Sequence, residues 1–161
     1  LREVRRLAFT TGAEDMCDRG ELIELWLASW AATYPGIDFE TRREWFDEHL
    51  SLLQTQGCTI LTARIEPGSL AGFVILNRVS GWLDQIAISP NTFGTGVARD
   101  LMREAKRLSP GFLQLDVNAD NGRALAFYER EGFRPTGEGT NPNSGARTLS
   151  LEWRAGPSPA A

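Results

Sequence analysis

Ile86-Ala87-Ile88-Ser89-Pro90-Asn91-Thr92-Phe93-Gly94-Thr95-Gly96-Val97-Ala98 is the stretch on which the fold turns. A short apolar run ends at Pro90, a loop with two glycines follows, and helical spacing starts inside it. Val97, Leu101, Ala105 and Leu108 then fall on one helix face, with Arg99, Arg103 and Lys106 on the opposite one. The first backbone N–H groups of a helix have no partner within it, and the helix dipole adds positive potential there. Such a turn binds an anion without needing a basic side chain. Gly94, Gly96 and Ala98 remove the side-chain bulk that would hold a pyrophosphate away from the backbone. Residues 86–107 are therefore expected to form a strand, a turn and a helix that cradle a pyrophosphate, with Arg99, Arg103 and Lys106 adding charge nearby.

Upstream, residues 2–8 are expected to form a first strand. Asp18-Arg19-Gly20-Glu21 has the form of a capping box. Leu22, Ile23, Trp26, Trp30 and Tyr34 recur at helical spacing until Pro35-Gly36 stops the helix. Asp38 caps a second helix whose buried stripe is Phe39, Phe46, Leu50 and Leu53, ended by Gly57. Residues 58–65, 70–78 and 81–89 are expected strands, with a turn at Pro67-Gly68. Downstream, Pro110-Gly111 breaks the central helix, residues 112–118 form a strand, and Asp120 or Asn121 caps a short helix that exits at Gly132. Residues 133–137 and 147–153 close the sheet around Asn141-Pro142-Asn143-Ser144-Gly145. The order predicts an α/β or α+β domain over residues 1–154, with a mixed sheet and helices on its faces, and a disordered tail over 155–161.

Two cofactor motifs compete for the glycine turn. Gly94-Thr95-Gly96 begins a dinucleotide fingerprint, and Asp116 lies where a ribose-binding acid is expected, but Arg99 occupies the third glycine position and no second mononucleotide half follows. The other motif draws on Leu113-Gln114-Leu115-Asp116-Val117-Asn118-Ala119-Asp120-Asn121-Gly122-Arg123-Ala124-Leu125-Ala126-Phe127-Tyr128-Glu129-Arg130-Glu131-Gly132-Phe133. This stretch resembles the second half of the GNAT family, the GCN5-related N-acetyltransferases. Asn121, Ala124, Tyr128 and Gly132-Phe133 match that family's pattern, while Gly96 and Ala98 match the small positions of its acetyl-coenzyme A motif. Phe93 stands where Gln or Arg is usual. The resemblance implies a mostly antiparallel central sheet of about seven strands flanked by four helices, the acyl-CoA N-acyltransferase fold. It implies acetyl-coenzyme A as cofactor, contacted by Ile86, Ala87, Ile88, Phe93, Gly94, Thr95, Gly96, Val97, Ala98, Arg99, Asn121 and Tyr128, with no metal. The activity implied is direct transfer of an acetyl group to an amine of a small molecule or peptide.

Such a reaction sets physical demands. An alkyl ammonium with a pKa near 10.4 is neutral in only about 1 part in 2,500 at pH 7, a cost of roughly 4.6 kcal/mol. A carboxylate or a water chain must help remove its proton. A backbone N–H near Ala87 or Ile88 could serve the developing oxyanion. The resemblance makes Tyr128 the general acid for the leaving thiolate. Two acids compete as base. Asp116 shares a strand face with Gln114; Asp84 is expected on the face of Trp82, Ile86 and Ile88, where an acid is costly to bury without a partner. His49, the only histidine, is expected on a solvated helix face. Trp30, Tyr34 and Trp82 are expected to contact the acceptor; Trp26 and Trp45 lie on the same two helices, and Asn141–Gly145 is a second candidate for that side. A regulatory domain that binds acyl-coenzyme A without chemistry stays open, because of Phe93 and the undecided base.

The bulk numbers exclude other classes. With 17 basic and 21 acidic residues in 161, a net charge of −4 leaves no excess to neutralise phosphates, so no nucleic-acid partner is expected. Cys17 and Cys58 show no metal spacing and no disulfide framework, which fits a reducing cytoplasm, and neither lies in a motif for a covalent acyl-enzyme. No apolar run is long enough to span a bilayer, and no leader segment is visible although residue 1 is Leu. A cytoplasmic monomer or homodimer with no membrane partner is the expectation.

Overall fold

The computed structural model of the protein describes residues 7–12, 18–65 and 68–156. Residues 2–6 of the first expected strand, Cys17, Pro67, and residues 157–161 of the expected tail lie outside these. Strands β1 (Leu7–Gly12), β2 (Thr59–Ile65), β3 (Ser69–Leu76) and β4 (Leu83–Ile88) form one antiparallel sheet in that order. Strands β5 (Phe112–Asn118), β6 (Arg134–Thr140) and β7 (Arg147–Arg154) form a second, ordered β5-β7-β6 and also antiparallel. The helices are α1 (Arg19–Thr33), α2 (Arg43–Thr55), α3 (Val97–Leu108) and α4 (Gly122–Arg130). Seven strands and four helices agree with the expected architecture.

Local chemistry sets the helix starts. Asp18 caps α1 by accepting from the Gly20 N–H at 2.8 Å. Glu21 does not close the expected capping box. It faces Arg64 of β2 in a two-pronged pair at 2.9 and 3.0 Å, and this charge-assisted contact outweighs a local return to the backbone. Asp38 caps a 3-10 turn, Phe39–Arg42, rather than α2 itself. Asn121, not Asp120, caps α4, accepting from the Ala124 N–H at 3.2 Å. The central helix starts at Val97 rather than at Gly94, because both loop glycines hold left-handed backbone angles (φ +77° and +90°) that a right-handed helix cannot use.

The first sheet is covered on both faces. Helices α1 and α2 pack Leu22, Trp26, Phe46 and Leu50 against Ile60, Phe73, Ile75 and Ala87. On the other side α3 and α4 pack Leu101, Met102 and Tyr128 against Val74, Leu76, Leu115 and Leu151. The two sheets meet at one parallel bridge, Trp82 to Gln114, where the Gln114 N–H donates to the Gly81 carbonyl at 2.9 Å. Past that point no further pairing joins β4 to β5 among the described residues, so the strands part and leave a wedge. No described helix is long and apolar enough to cross a membrane.

Candidate active site

The wedge between β4 and β5 opens into a cleft of about 810 Å³. One end is lined by the glycine turn and the start of α4, the other by the aromatic side chains of α1 and α2.

At the turn end, Gly94, Gly96, Val97, Ala98 and Arg99 line the cleft. The N–H groups of Gly94, Gly96, Val97 and Ala98 donate to no other described residue, whereas the Asp100 N–H already belongs to the helix, bonding Gly96 at 3.0 Å. A Cβ on Gly94 would meet no protein atom within 4 Å, while its φ of +77° favours glycine whatever the space. Thr95 turns its hydroxyl back onto the Thr92 carbonyl and does not line the cleft. Lys106 is not available to a phosphate either. Its ammonium donates to the Glu131 carbonyl at 2.7 Å and tethers α3 to the end of α4. Arg99 and Arg103 lie beside Asp100. Arg99 keeps its guanidinium at the turn, 3.3 Å from where a Cβ on Gly96 would lie, and a second cation comes from the second motif: the Arg123 guanidinium stacks on the Phe93 ring, 3.8 Å from its centroid. Phe93 thus carries a cation where the family pattern has a polar residue. These free amides, open glycines and stacked arginine fit a pyrophosphate.

The strand end is set by register. The Ser89 N–H bonds the Ala71 carbonyl at 2.8 Å, and partners alternate along an antiparallel pair. The amides of Ala87 and Gln85 therefore point into β3, while those of Ile86 and Ile88 face the wedge. Of the two expected oxyanion donors, Ile88 opens to the cleft and Ala87 does not.

Asp84 departs from the expected geometry as well. Ile75 pairs with Gln85 and Leu76 with Leu83, so Asp84 is the extra residue of a β-bulge. The bulge breaks the alternation and separates Asp84 from Ile86 and Ile88, which pack against the α3 side. The Asp84 carboxylate accepts from the Trp82 indole at 3.0 Å, the Gln85 amide at 3.2 Å and His49 Nε2 at 2.6 Å. Burial pushes this acid up, but the bonds from His49, Trp82 and Gln85 outweigh burial and hold it below the usual aspartate value. Trp82 does not line the cleft; its indole secures Asp84. His49, expected in solvent, is 19% exposed and stacks on Trp45 at 4.7 Å. Its pairing spans two elements distant in sequence and left no local signal.

Around Asp84 the acceptor end is aromatic, with Trp26, Trp30, Tyr34, Phe39 and Trp45 in the lining. Trp26 donates to Gln85 at 3.0 Å, which fixes α1 over the bulge. Tyr34 donates to Asp120 at 2.8 Å across the cleft mouth; burial first, then the Asp120 carboxylate, raise its phenol. The loop from Asn141 reaches the same rim, held by Asn141 Nδ2 donating to Asn118 at 3.1 Å. Asp116 also lines the cleft but is exposed and accepts from Ser150 at 2.7 Å. Tyr128 also lines the cleft, 6% exposed, and its hydroxyl has no hydrogen-bond partner among the described residues. Burial raises its phenol far above the ordinary value, so it stays protonated. Cys58 is a buried free thiol raised by burial and by the Asp84 charge, which makes it a poor nucleophile. No cluster of His, Cys, Asp and Glu among the described residues could hold a metal.

A wedge opened between two antiparallel sheets, with an anion cradle on one side and a buried acid on the other, places the protein among the acyltransferases. The chain belongs to the acetyltransferase (GNAT) family, whose sequence profile matches residues 20–133. It is 32% identical over 117 residues to the peptidyl-lysine N-acetyltransferase YjaB of Escherichia coli K12, covering 73% of this chain and 76% of that protein. The solution structure of apo YjaB superposes with a TM-score of 0.73 at 24% identity, over 94% of this chain and 99% of that one. The PaiA N-acetyltransferase of Thermoplasma acidophilum, solved with coenzyme A, superposes with a TM-score of 0.70 at 22% identity, over 92% and 99%.

Proposed function

We propose that the enzyme transfers an acetyl group from acetyl-coenzyme A to a primary amine, a lysine side chain of a peptide or protein, by direct attack. The observation that carries this is the placement of Asp84. An ionised carboxylate stands among aromatic rings at the end of the cleft opposite the phosphate cradle, and that is the environment an alkyl ammonium selects. The name of the YjaB relatives supports lysine as acceptor, and the coenzyme A held by the PaiA neighbour supports the cofactor.

Acetyl-coenzyme A supplies the acyl group as a thioester and departs as the thiol. The chain's own residues do the rest. The amides of Gly94 to Ala98, with Arg123, bind the pyrophosphate. The Ile88 N–H donates to the carbonyl oxygen as charge develops on it. Asp84 docks the ammonium and receives its proton. Tyr128, kept protonated by burial, donates to the departing sulfur, and the second proton that leaves the nitrogen as the tetrahedral intermediate collapses restores the phenol through water. Asp116 is the poorer base, because it is exposed and its attraction for an ammonium is screened by water.

A lysine peptide and acetyl-coenzyme A, assayed for thiol release with the peptide mass as second readout, test this. The expected result is one acetyl group on the lysine per thiol released. Tight cofactor binding with no acetylation across lysine peptides, free amino acids and polyamines would instead favour a coenzyme-sensing domain.

A further inference from the structure

Asp84 has an unusual problem. As the extra residue of a bulge, it is not held in direction by the alternation of its strand. Two of its three donors, Trp82 and Gln85, sit on the same chain segment and move with it. Among the described residues only His49 reaches Asp84 from another element. His49 belongs to α2 and stacks on Trp45, which also packs against Trp26 at 6.0 Å. The same two tryptophans wall the acceptor end of the cleft, whereas His49 itself is not part of the lining. We infer that His49 is a positioning residue: it locks the Asp84 carboxylate to the aromatic wall of α1 and α2, so that one oxygen lone pair stays turned toward the incoming ammonium.

A carboxylate has about four acceptor sites, and three donors fill three of them, leaving one for the acceptor's N–H. Without His49 that vacancy would no longer have a fixed direction relative to Trp26 and Trp45. The contact also sets the imidazole. A carboxylate only accepts, so Nε2 must carry a proton whether the ring is neutral or charged. Among the described residues the other titratable group that feels Asp84 is Cys58, whose thiol burial and the Asp84 charge raise, so it stays neutral and offers no competing charge. This role rests on the assignment of Asp84 as the group that docks the amine.

The test compares His49→Phe, His49→Gln and Asp84→Asn in the full chain, with a lysine peptide at fixed pH. His49→Phe should raise KM for the peptide about tenfold, leaving kcat within about twofold and coenzyme A affinity unchanged. His49→Gln, which keeps a donor, should recover most of that loss. Carbon NMR of the Asp84 carboxyl should show its titration moving upward in His49→Phe. Unchanged KM in His49→Phe, or a fall in kcat alone, overturns the positioning role. Should His49→Phe not fold, nitrogen NMR of the wild-type imidazole decides: a neutral Nδ1–H tautomer with bare Nε2 overturns the proposal, and an Nε2–H form supports it. Asp84→Asn separates the two levels. If it behaves as wild type, the amine-docking assignment falls; if it raises KM while both His49 variants do not, only the His49 role falls.

Discussion

Tyr128 carries a hydroxyl that burial keeps neutral and that no described side chain satisfies. An unpaired buried hydroxyl costs on the order of 1–3 kcal/mol, and a ligand sulfur in the cleft would offset that cost. Tyr128→Phe should therefore lower kcat by at least about tenfold with coenzyme A affinity nearly unchanged, and the protein should become no less stable without ligand. Steady-state kinetics beside thermal melts check this; unchanged kcat reduces Tyr128 to packing against Phe127 and Phe133. Asp84 makes a separate, pH-dependent contribution. Its folded pKa lies below the unfolded one, so its stabilisation is complete above the ordinary aspartate value of about 3.9 and is lost as pH falls through the folded value. The gap in urea midpoint between wild type and Asp84→Asn should shrink as pH drops from about 5 to about 2. A gap that stays constant would mean that the carboxylate is not held ionised. Both residues stood out in the sequence, one through the Asn121–Phe133 pattern and the other as an acid in an apolar strand. His49 did not, because its partner lies 35 positions away and no local spacing couples α2 to β4.

The turn between β4 and α3 shows what a local pattern specifies. Its glycines have positive φ, so a side chain at Gly96 is strained, and an acid there also opposes the phosphates. Gly96→Asp should abolish the rise in melting temperature that acetyl-coenzyme A produces. Arg123→Gln should weaken coenzyme A binding about tenfold, and Phe93→Ala should do nearly the same by removing the ring on which the guanidinium rests. Calorimetric titration measures both; wild-type affinity in Arg123→Gln would leave the grip to the backbone alone. Within this element the free amides and open glycines were legible, since they follow from residue type and order. The Arg123 contact is not legible in the sequence, because the Phe93 stack joins two segments through tertiary packing. The Asp84 bulge was equally hidden: Leu83-Asp84-Gln85 has no spacing that marks an inserted residue, and only the register with β3 reveals it.

At the scale of the whole molecule, the seven strands among the described residues fall into two sheets coupled there by one parallel bridge. The number of strands and of helices could be anticipated from element order alone. Where β4 and β5 part could not, because parting depends on pairing that is missing rather than on any residue that is present. The missing pairing leaves the backbone groups of Ile86 and Ile88 without strand partners, and a ligand lying in the wedge would replace the absent strand contacts. It would at once touch β4, the turn before α3 and the start of α4, which belong to both halves of the fold. Coenzyme A should then stabilise the junction as well as the site. At a concentration 100 times Kd the linkage amounts to roughly 2.7 kcal/mol, or about 5–10 °C in melting temperature for a chain of this size. Amide exchange should slow most at Ile86, Ile88 and the first turn of α3. It should also slow along β5, which makes no direct phosphate contact, if the ligand closes the wedge as a unit. Protection confined to the glycine turn, with β5 unchanged, would show that the two sheets respond independently and that the cleft does not draw shut around its substrate.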